Sequence, residues 1–293
     1  MRLGDERESG NFIDDTGRGF RGGGFGGGGL GCLLPLVASR FGIGGVIVLV
    51  IGYFLLSSLG GGLGGLGGGQ APQSQVGQAS GQSNLDPATR RFTLQVLAYT
   101  EDVWTKLLGG KYEPTKLVFY SEADDRSACG LAQSAMGPFY CPNDKNIYLD
   151  TQFFNELSQR FQAPGDFAMA YVVAHEVGHH VQDLTGTLGQ AEQLQARASQ
   201  TEGNAIQVKV ELQADCYAGV WAANAKNPQG QPIMEQGDFE EGMRAAEAIG
   251  DDTLQKESQG RVVPDSFTHG TSAQRMEALQ RGYKSGDPNV CKF

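Results

Sequence analysis

Residues 175–180 read His-Glu-Val-Gly-His-His, and this run constrains the fold more than any other part of the chain. His175 and His179 are four apart, so on an α-helix they share one face, with Cβ atoms about 5–6 Å from each other. Two imidazoles so placed can grip one zinc ion. Glu176 between them can work on a water that the metal activates. The helix therefore needs one apolar face and one face that opens on a cleft. Val173, Val177, Val181 and Leu184 supply the apolar stripe, on the side away from the histidines. Gly178 costs about 1 kcal/mol inside a helix, and its small size lets backbone or substrate come close beside the metal.

A catalytic zinc takes three protein ligands and keeps one position open. One scheme, H-E-x-x-H-x-x-G-x-x-H, fails here, because its glycine position is Gln182 and its last histidine position is Thr185. His180 points about 100° away from His179 round the helix and cannot easily join. The remaining scheme draws a glutamate from a second helix. Glu211 and Asp215 are four apart, beside the apolar stripe of Val208, Leu212 and Cys216. Glu211 is the expected third ligand. Asp215 is expected to accept a hydrogen bond from the outer nitrogen of a zinc histidine, fixing its tautomer.

Composition divides the chain. More than half of the 44 glycines precede residue 70. Residues 1–85 carry five arginines and five acidic residues, so the net charge of −10 rests on residues 86–293. That acidity argues against nucleic acid as a partner. Residues 1–40 are polar, then glycine-rich, and are expected to be a disordered cytoplasmic segment. Phe41–Leu59 is a stretch of nineteen uncharged residues, long enough for a single transmembrane helix. Arg21 and Arg40 precede it and no charge follows before Asp86, so the N-terminus is expected in the cytoplasm and the C-terminal domain outside, in a periplasmic or other extracytoplasmic space. Residues 60–85 read as a Gly/Ser/Gln-rich linker and 86–293 as the folded domain.

Within that domain the spacing predicts a helix from Asp86 to Leu108 and a strand at Leu117–Tyr120. Strands at Phe139–Cys141 and Ile147–Leu149 are expected to form a hairpin about Pro142–Lys145. A short helix follows at Phe153–Phe161. The His-Glu helix is expected to start with Asp166 as N-cap and to stop near Gly186, with further helices around Asn204–Ala225, Asp238–Ile249 and Thr271–Gly282. His269 stands just before a capping box, Thr271 to Gln274. A histidine there is expected to stay neutral and to donate a hydrogen bond to the oxyanion of the attacked carbonyl. Arg275 can tie that segment to a core carboxylate, and His180 reads as a residue behind the ligands or a surface one.

These stretches resemble the neutral zinc metallopeptidases of YpfJ type. The likeness is carried by Ala128-Cys129-Gly130, Gly137 through Pro142, Ile147 through Asp150, the His-Glu-Val-Gly-His-His run, Glu211 through Gly219, and His269 through Arg275. More distantly the chain is similar to membrane-linked gluzincins such as the CAAX-prenyl protease group. That second likeness implies a strand ahead of the active helix that binds substrate in extended form, with Gly130–Met136 or Phe139–Cys141 as candidates. Outside the cytoplasm, disulfides are expected between Cys129 and Cys141 and between Cys216 and Cys291. Cys32 is expected to stay reduced.

The resulting expectation is an α+β, zincin-like (gluzincin-type) metallopeptidase domain, mainly helical with a small sheet, on a single-pass anchor. It holds one Zn²⁺ through His175, His179 and Glu211, with Glu176 as general base, His269 as a second catalytic residue and a protein or peptide as substrate. Two rival readings are a catalytically inactive, membrane-tethered zincin-fold scaffold and a closed structural zinc site with His269 as fourth ligand.

Overall fold

Strand β2 (Lys116–Tyr120) is Lys-Leu-Val-Phe-Tyr, and apart from Lys116 both of its faces are buried. Leu117 and Phe119 point into the main core, while Val118 and Tyr120 pack with Tyr148 and Cys141 in a smaller cluster. A strand covered on both faces needs no polar alternation, which explains its continuous apolar run. In the computed structural model, which describes residues 1–16 and 85–293 apart from 122, 125, 126, 131, 134–136 and 151, β2 lies second in a four-stranded sheet. The order is β1 (Phe12–Asp14), β2, β6 (Asn146–Asp150), β5 (Phe139–Cys141). The β1/β2 and β2/β6 pairs are parallel and the β5/β6 pair is an antiparallel hairpin. Lys145 takes the left-handed conformation in its turn (φ 57°), and Asp144 receives the Tyr148 hydroxyl and the Asn146 and Ala128 amides. Two-residue strands β3 (Ala123–Asp124) and β4 (Ala132–Gln133) pair with each other apart from this sheet.

Helix α1 (Pro87–Leu108) is capped by Asp86, whose carboxylate accepts the Thr89 amide, and buries Val96, Leu97, Val103 and Trp104. After a short α2 (Gln152–Gln159), the central helix α3 (Asp166–Leu184) packs against α1 on one side and α5 (Gln200–Asn224) on another. Val173, Val177 and Val181 sit in the core. Helices α6 (Asp238–Ala248) and α8 (Ser272–Ser285) close the bundle. Glycine decides how near these helices lie. A Cβ on Gly178 would stand 3.0 Å from the Ala214 carbonyl oxygen, so α3 meets α5 backbone to backbone at the histidine pair. A Cβ on Gly219 would strike the Leu279 carbonyl, and one on Gly282 the Cys216 carbonyl, so α5 and α8 also cross in direct contact.

Several expectations change. The N-cap of α3 is Gly165, and Asp166 is the first helical residue. Helices α4 (Thr187–Gln195) and α7 (Asp251–Gln259) were not anticipated. Met1–Thr16 is not a disordered tail. It adds β1 to the sheet, places Ser9, Asn11 and Arg7 on the buried Glu101 carboxylate, and brings the Met1 ammonium against Asp166, Glu235 and Asp238. Polar groups with partners, together with buried Leu3 and half-buried Met1 and Phe12, hold the segment in place.

The rest of the expected tail, the transmembrane helix 41–59 and the linker up to residue 84 lie outside the described residues. Among the described residues no helix is long and apolar enough to cross a membrane. β1 and β2 pair in one sheet, so Phe12–Asp14 and Lys116–Tyr120 lie side by side in the same folded unit. Cys129 is bonded to Cys141, at β5, and Cys216 on α5 to Cys291.

Candidate metal centre

Helix α3 carries His175 and His179 on the face turned to α5, and α5 presents Glu211 to them. Three atoms converge. His175 Nε2 and His179 Nε2 are 3.2 Å apart, and Glu211 Oε2 lies 3.2 Å from the first and 3.4 Å from the second. Ligands about 2.0–2.1 Å from a tetrahedral zinc sit roughly 3.3–3.4 Å from one another, so the triangle has the size of one face of such a site. Among the described residues this is the histidine-containing group able to hold an ion. A second acidic group, around Asp166 and Asp238, is occupied by the Met1 ammonium. A separate cleft of about 680 Å³, bordered by Ser121, Asn155 and Met169, shares no residue with the three.

Each of the three side chains is oriented from behind. His175 Nδ1 lies 2.8 Å from Asp215 Oδ1. Asp215 also accepts the Tyr171 hydroxyl at 2.6 Å and two N–H groups of Arg275 at 2.9 and 3.0 Å. Arg275 in turn donates to the Ile249 carbonyl and the Tyr171 oxygen, so this fully buried cation has a partner at each nitrogen. His179 Nδ1 lies 2.8 Å from Gln182 Oε1, and Gln207 donates to Glu211 Oε1, leaving Oε2 for the triangle. With an acceptor at each Nδ1, both rings carry their proton there and aim an Nε2 lone pair inward. Two lone pairs and a carboxylate oxygen facing one point require a positive charge between them.

The electrostatics agree. Burial opposes ionisation of Asp215, but Arg275 and His175 hold its carboxyl well below the usual range. Glu211 is likewise depressed against the cost of burial, by the two histidines. Burial disfavours a charged His175, yet Asp215 and Glu211 push it up to about 10, so in the metal-free protein a proton occupies the place an ion would take. Burial drives the Glu176 carboxyl upward, while the two histidines and the backbone N–H of Tyr140 act against it. A carboxylate with a raised pKa is a stronger proton acceptor. Tyr140 belongs to β5, the edge strand of this sheet among the described residues, so that edge borders the glutamate. Of the two strand candidates, Phe139–Cys141 is this edge; Gly130–Met136 falls largely outside the described residues.

His269 stands apart from the triangle but near enough for Glu211 to raise its pKa. Its Nδ1 faces Asp251 Oδ1 at 3.2 Å, and Asp251 Oδ2 gathers the backbone amides of Thr268, His269 and Gly270. The helix begins three residues later, at Ser272. Although burial acts the other way, Asp251 and Glu211 raise the imidazole pKa above its ordinary value. His180 is no surface residue. It is buried against Tyr112 and Tyr140, with Nε2 2.6 Å from the Glu113 carbonyl, and joins α3 to β5 away from the triangle. Sequence reasoning missed Tyr171, Gln182, Gln207 and Asp251. The first three lie one helical turn from a ligand, at 171/175, 179/182 and 207/211, a spacing that could have exposed them. Asp251 carries no such signal.

A family model described as "Putative neutral zinc metallopeptidase" matches residues 1–293. "Uncharacterized protein YpfJ" of Escherichia coli strain K12 is 47% identical over 298 residues, covering 99% of this chain and 98% of that protein. "Uncharacterized protein Rv2575" of Mycobacterium tuberculosis strain H37Rv is 44% identical over 198 residues, 64% of this chain and 65% of its own length. No solved structure matches the chain.

Proposed function

The chain belongs to the neutral zinc metallopeptidase family, and we propose that it is a working zinc endopeptidase with His175, His179 and Glu211 as ligands and Glu176 as general base. The observation that carries this reading is the inward-facing triangle of 3.2–3.4 Å with Glu176 next to it. When bound there, zinc supplies Lewis acidity that lowers the pKa of a water toward about 7 and polarises a carbonyl. Glu176 takes the proton from the attacking water and returns it to the leaving amine. His269, held by Asp251, donates to the oxyanion. The peptide lies extended along the free edge of β5, where main-chain hydrogen bonds set its register. Phe139 and Tyr140 border this path.

The closed structural site has less support, because His269 is absent from the group of residues close enough to share an ion and its Nδ1 is directed to Asp251. The intact Glu176 argues against an inactive scaffold. Two disulfides support a domain working outside the cytoplasm. In this reading the uncharged stretch 41–59 associates with the membrane while Met1–Thr16 stays on the side of the domain.

The deciding experiment compares wild-type protein with Glu176→Gln. The variant is expected to keep one zinc by metal analysis and to lose about 10²–10⁴-fold in peptide hydrolysis. Normal cleavage by Glu176→Gln sinks the assignment of the base. Failure of a hydroxamate to bind the zinc form would instead favour the closed site.

A further inference from the structure

The two zinc histidines are backed differently. Behind His175 stands a carboxylate; behind His179 stands an amide that continues inward. Gln182, fully buried, donates through Nε2 to the Val210 carbonyl at 2.7 Å and to Gln213 Oε1 at 2.9 Å. Gln213 donates through its own Nε2 to the Cys291 carbonyl at 2.8 Å. Cys291 is bonded to Cys216, on the same helix as Gln213 and Glu211.

Which way each amide points is settled by the main chain. A carbonyl oxygen can only accept, so the Val210 carbonyl requires Nε2 of Gln182 and the Cys291 carbonyl requires Nε2 of Gln213. Reversing either amide would set two acceptors against each other in a buried space. Gln182 Oε1 therefore faces His179, whose Nδ1 must carry the proton and leave Nε2 free for a metal.

We propose that Gln182 is a positioning residue that fixes the metal-binding tautomer of His179, and that Gln213 with the disulfide-tethered Cys291 carbonyl locks it. The proposal rests on the zinc reading above. It gives this site one ligand backed by a charged group, Asp215, and one backed by a neutral group. The neutral backing sets ring orientation without adding negative charge to a centre that already holds Glu211. It also makes the cross-link between Cys216 and Cys291 part of the support of the metal centre.

The test uses the purified full-length chain. Zinc affinity is measured by chelator competition for wild type, Gln182→Met and Gln213→Met, and thermal unfolding of each metal-free protein is recorded separately. Gln182→Met is expected to bind zinc about 10–100-fold more weakly, and Gln213→Met is expected to shift in the same direction by less. In zinc-loaded protein with ¹⁵N-labelled histidine, the His179 Nδ1–H signal is expected to be protected from solvent exchange in wild type and lost in Gln182→Met. A packing role alone would lower the unfolding temperature without moving that signal. Unchanged zinc affinity together with a protected Nδ1–H in Gln182→Met overturns the proposal. If Gln182→Met does not fold, Gln213→Met decides, a weaker affinity supporting the relay and an unchanged one overturning it. A wild type that binds no zinc would sink the parent reading instead.

Discussion

Arg275 meets Asp215 side-on, Nε to Oδ2 at 2.9 Å and Nη2 to Oδ1 at 3.0 Å, across sixty residues of sequence. Both side chains are buried, and the pair anchors α8 to the helix that carries Glu211. Removing Arg275 leaves the buried Asp215 with only His175 to offset its charge. Arg275→Met is therefore expected to destabilise the metal-free protein by about 3–5 kcal/mol, read by urea unfolding. Arg275→Lys is expected to rescue little, because an ammonium cannot reproduce the two-pronged contact. A loss below about 1 kcal/mol in Arg275→Met would mean that Asp215 stays compensated without the guanidinium.

Asp251 gathers three backbone amides and the His269 ring, and it titrates below its ordinary value of 3.8 because these contacts outweigh its burial. A depressed carboxyl contributes stability that is complete above the unfolded value and fades as pH falls through the folded one. Asp251→Asn is expected to cost about 2–3 kcal/mol near neutral pH, and the gap to wild type is expected to close below about pH 4. His269 has the opposite sign. Its raised pKa keeps it charged to higher pH, and Asp251 is the leading cause of the rise. The alkaline limb of kcat/KM is therefore expected to move to lower pH in Asp251→Asn. An unmoved limb would remove His269 from the reaction.

Two helical glycines are expected to respond with opposite signs. A Cβ at Gly282 would collide with the Cys216 carbonyl, so Gly282→Ala forces α5 and α8 apart and is expected to cost about 1–3 kcal/mol or more. Gly189, in α4, faces open space, and Gly189→Ala is expected to stabilise by up to about 1 kcal/mol. Thermal unfolding of the two variants checks both, and a neutral Gly282→Ala would contradict the close crossing.

The pairing of β1 with β2 makes a topological prediction. Ile13 and Glu257 are both exposed. In a chain whose Cys32 is replaced by serine, Ile13→Cys and Glu257→Cys are expected to react alike with a membrane-impermeant maleimide on intact cells. If one is labelled and the other protected, the strands do not pair in the cell.

The cluster of His175, His179 and Glu211 was more legible in the sequence than the structure around it. His175, His179, Glu211 and Asp215 announce themselves because i, i+4 spacing on two helices turns sequence distance into a shared face. Strand β2 and the β5/β6 hairpin were legible from β-branched and aromatic runs around Pro142–Lys145. Helix α7 was not, since Leu254 is its only large apolar residue and no stripe marks it. Helix α4 was hidden by Gly186 and Gly189, which read as a stop. Met1–Thr16 looked unfoldable because the groups that hold it, chiefly Glu101, lie far along the chain and act through polar contacts. Gln182 and Gln213 fell to the same difficulty, as an amide's partners are set by tertiary approach rather than by any local pattern.

Both ends of the described structure carry a consequence in time. During synthesis β1 emerges first, yet the strand it pairs with, β2, comes only after Thr16, Leu85 and the whole of α1 have been made. Glu211 and Gln213 emerge well before Cys291, whose carbonyl and sulfur complete their surroundings. A ribosome-bound chain can therefore complete its sheet once Asp150 is made, but the surroundings of Gln213 stay unfinished until Cys291 appears. The candidate site is thus enclosed only after synthesis has passed far beyond the histidines that define it.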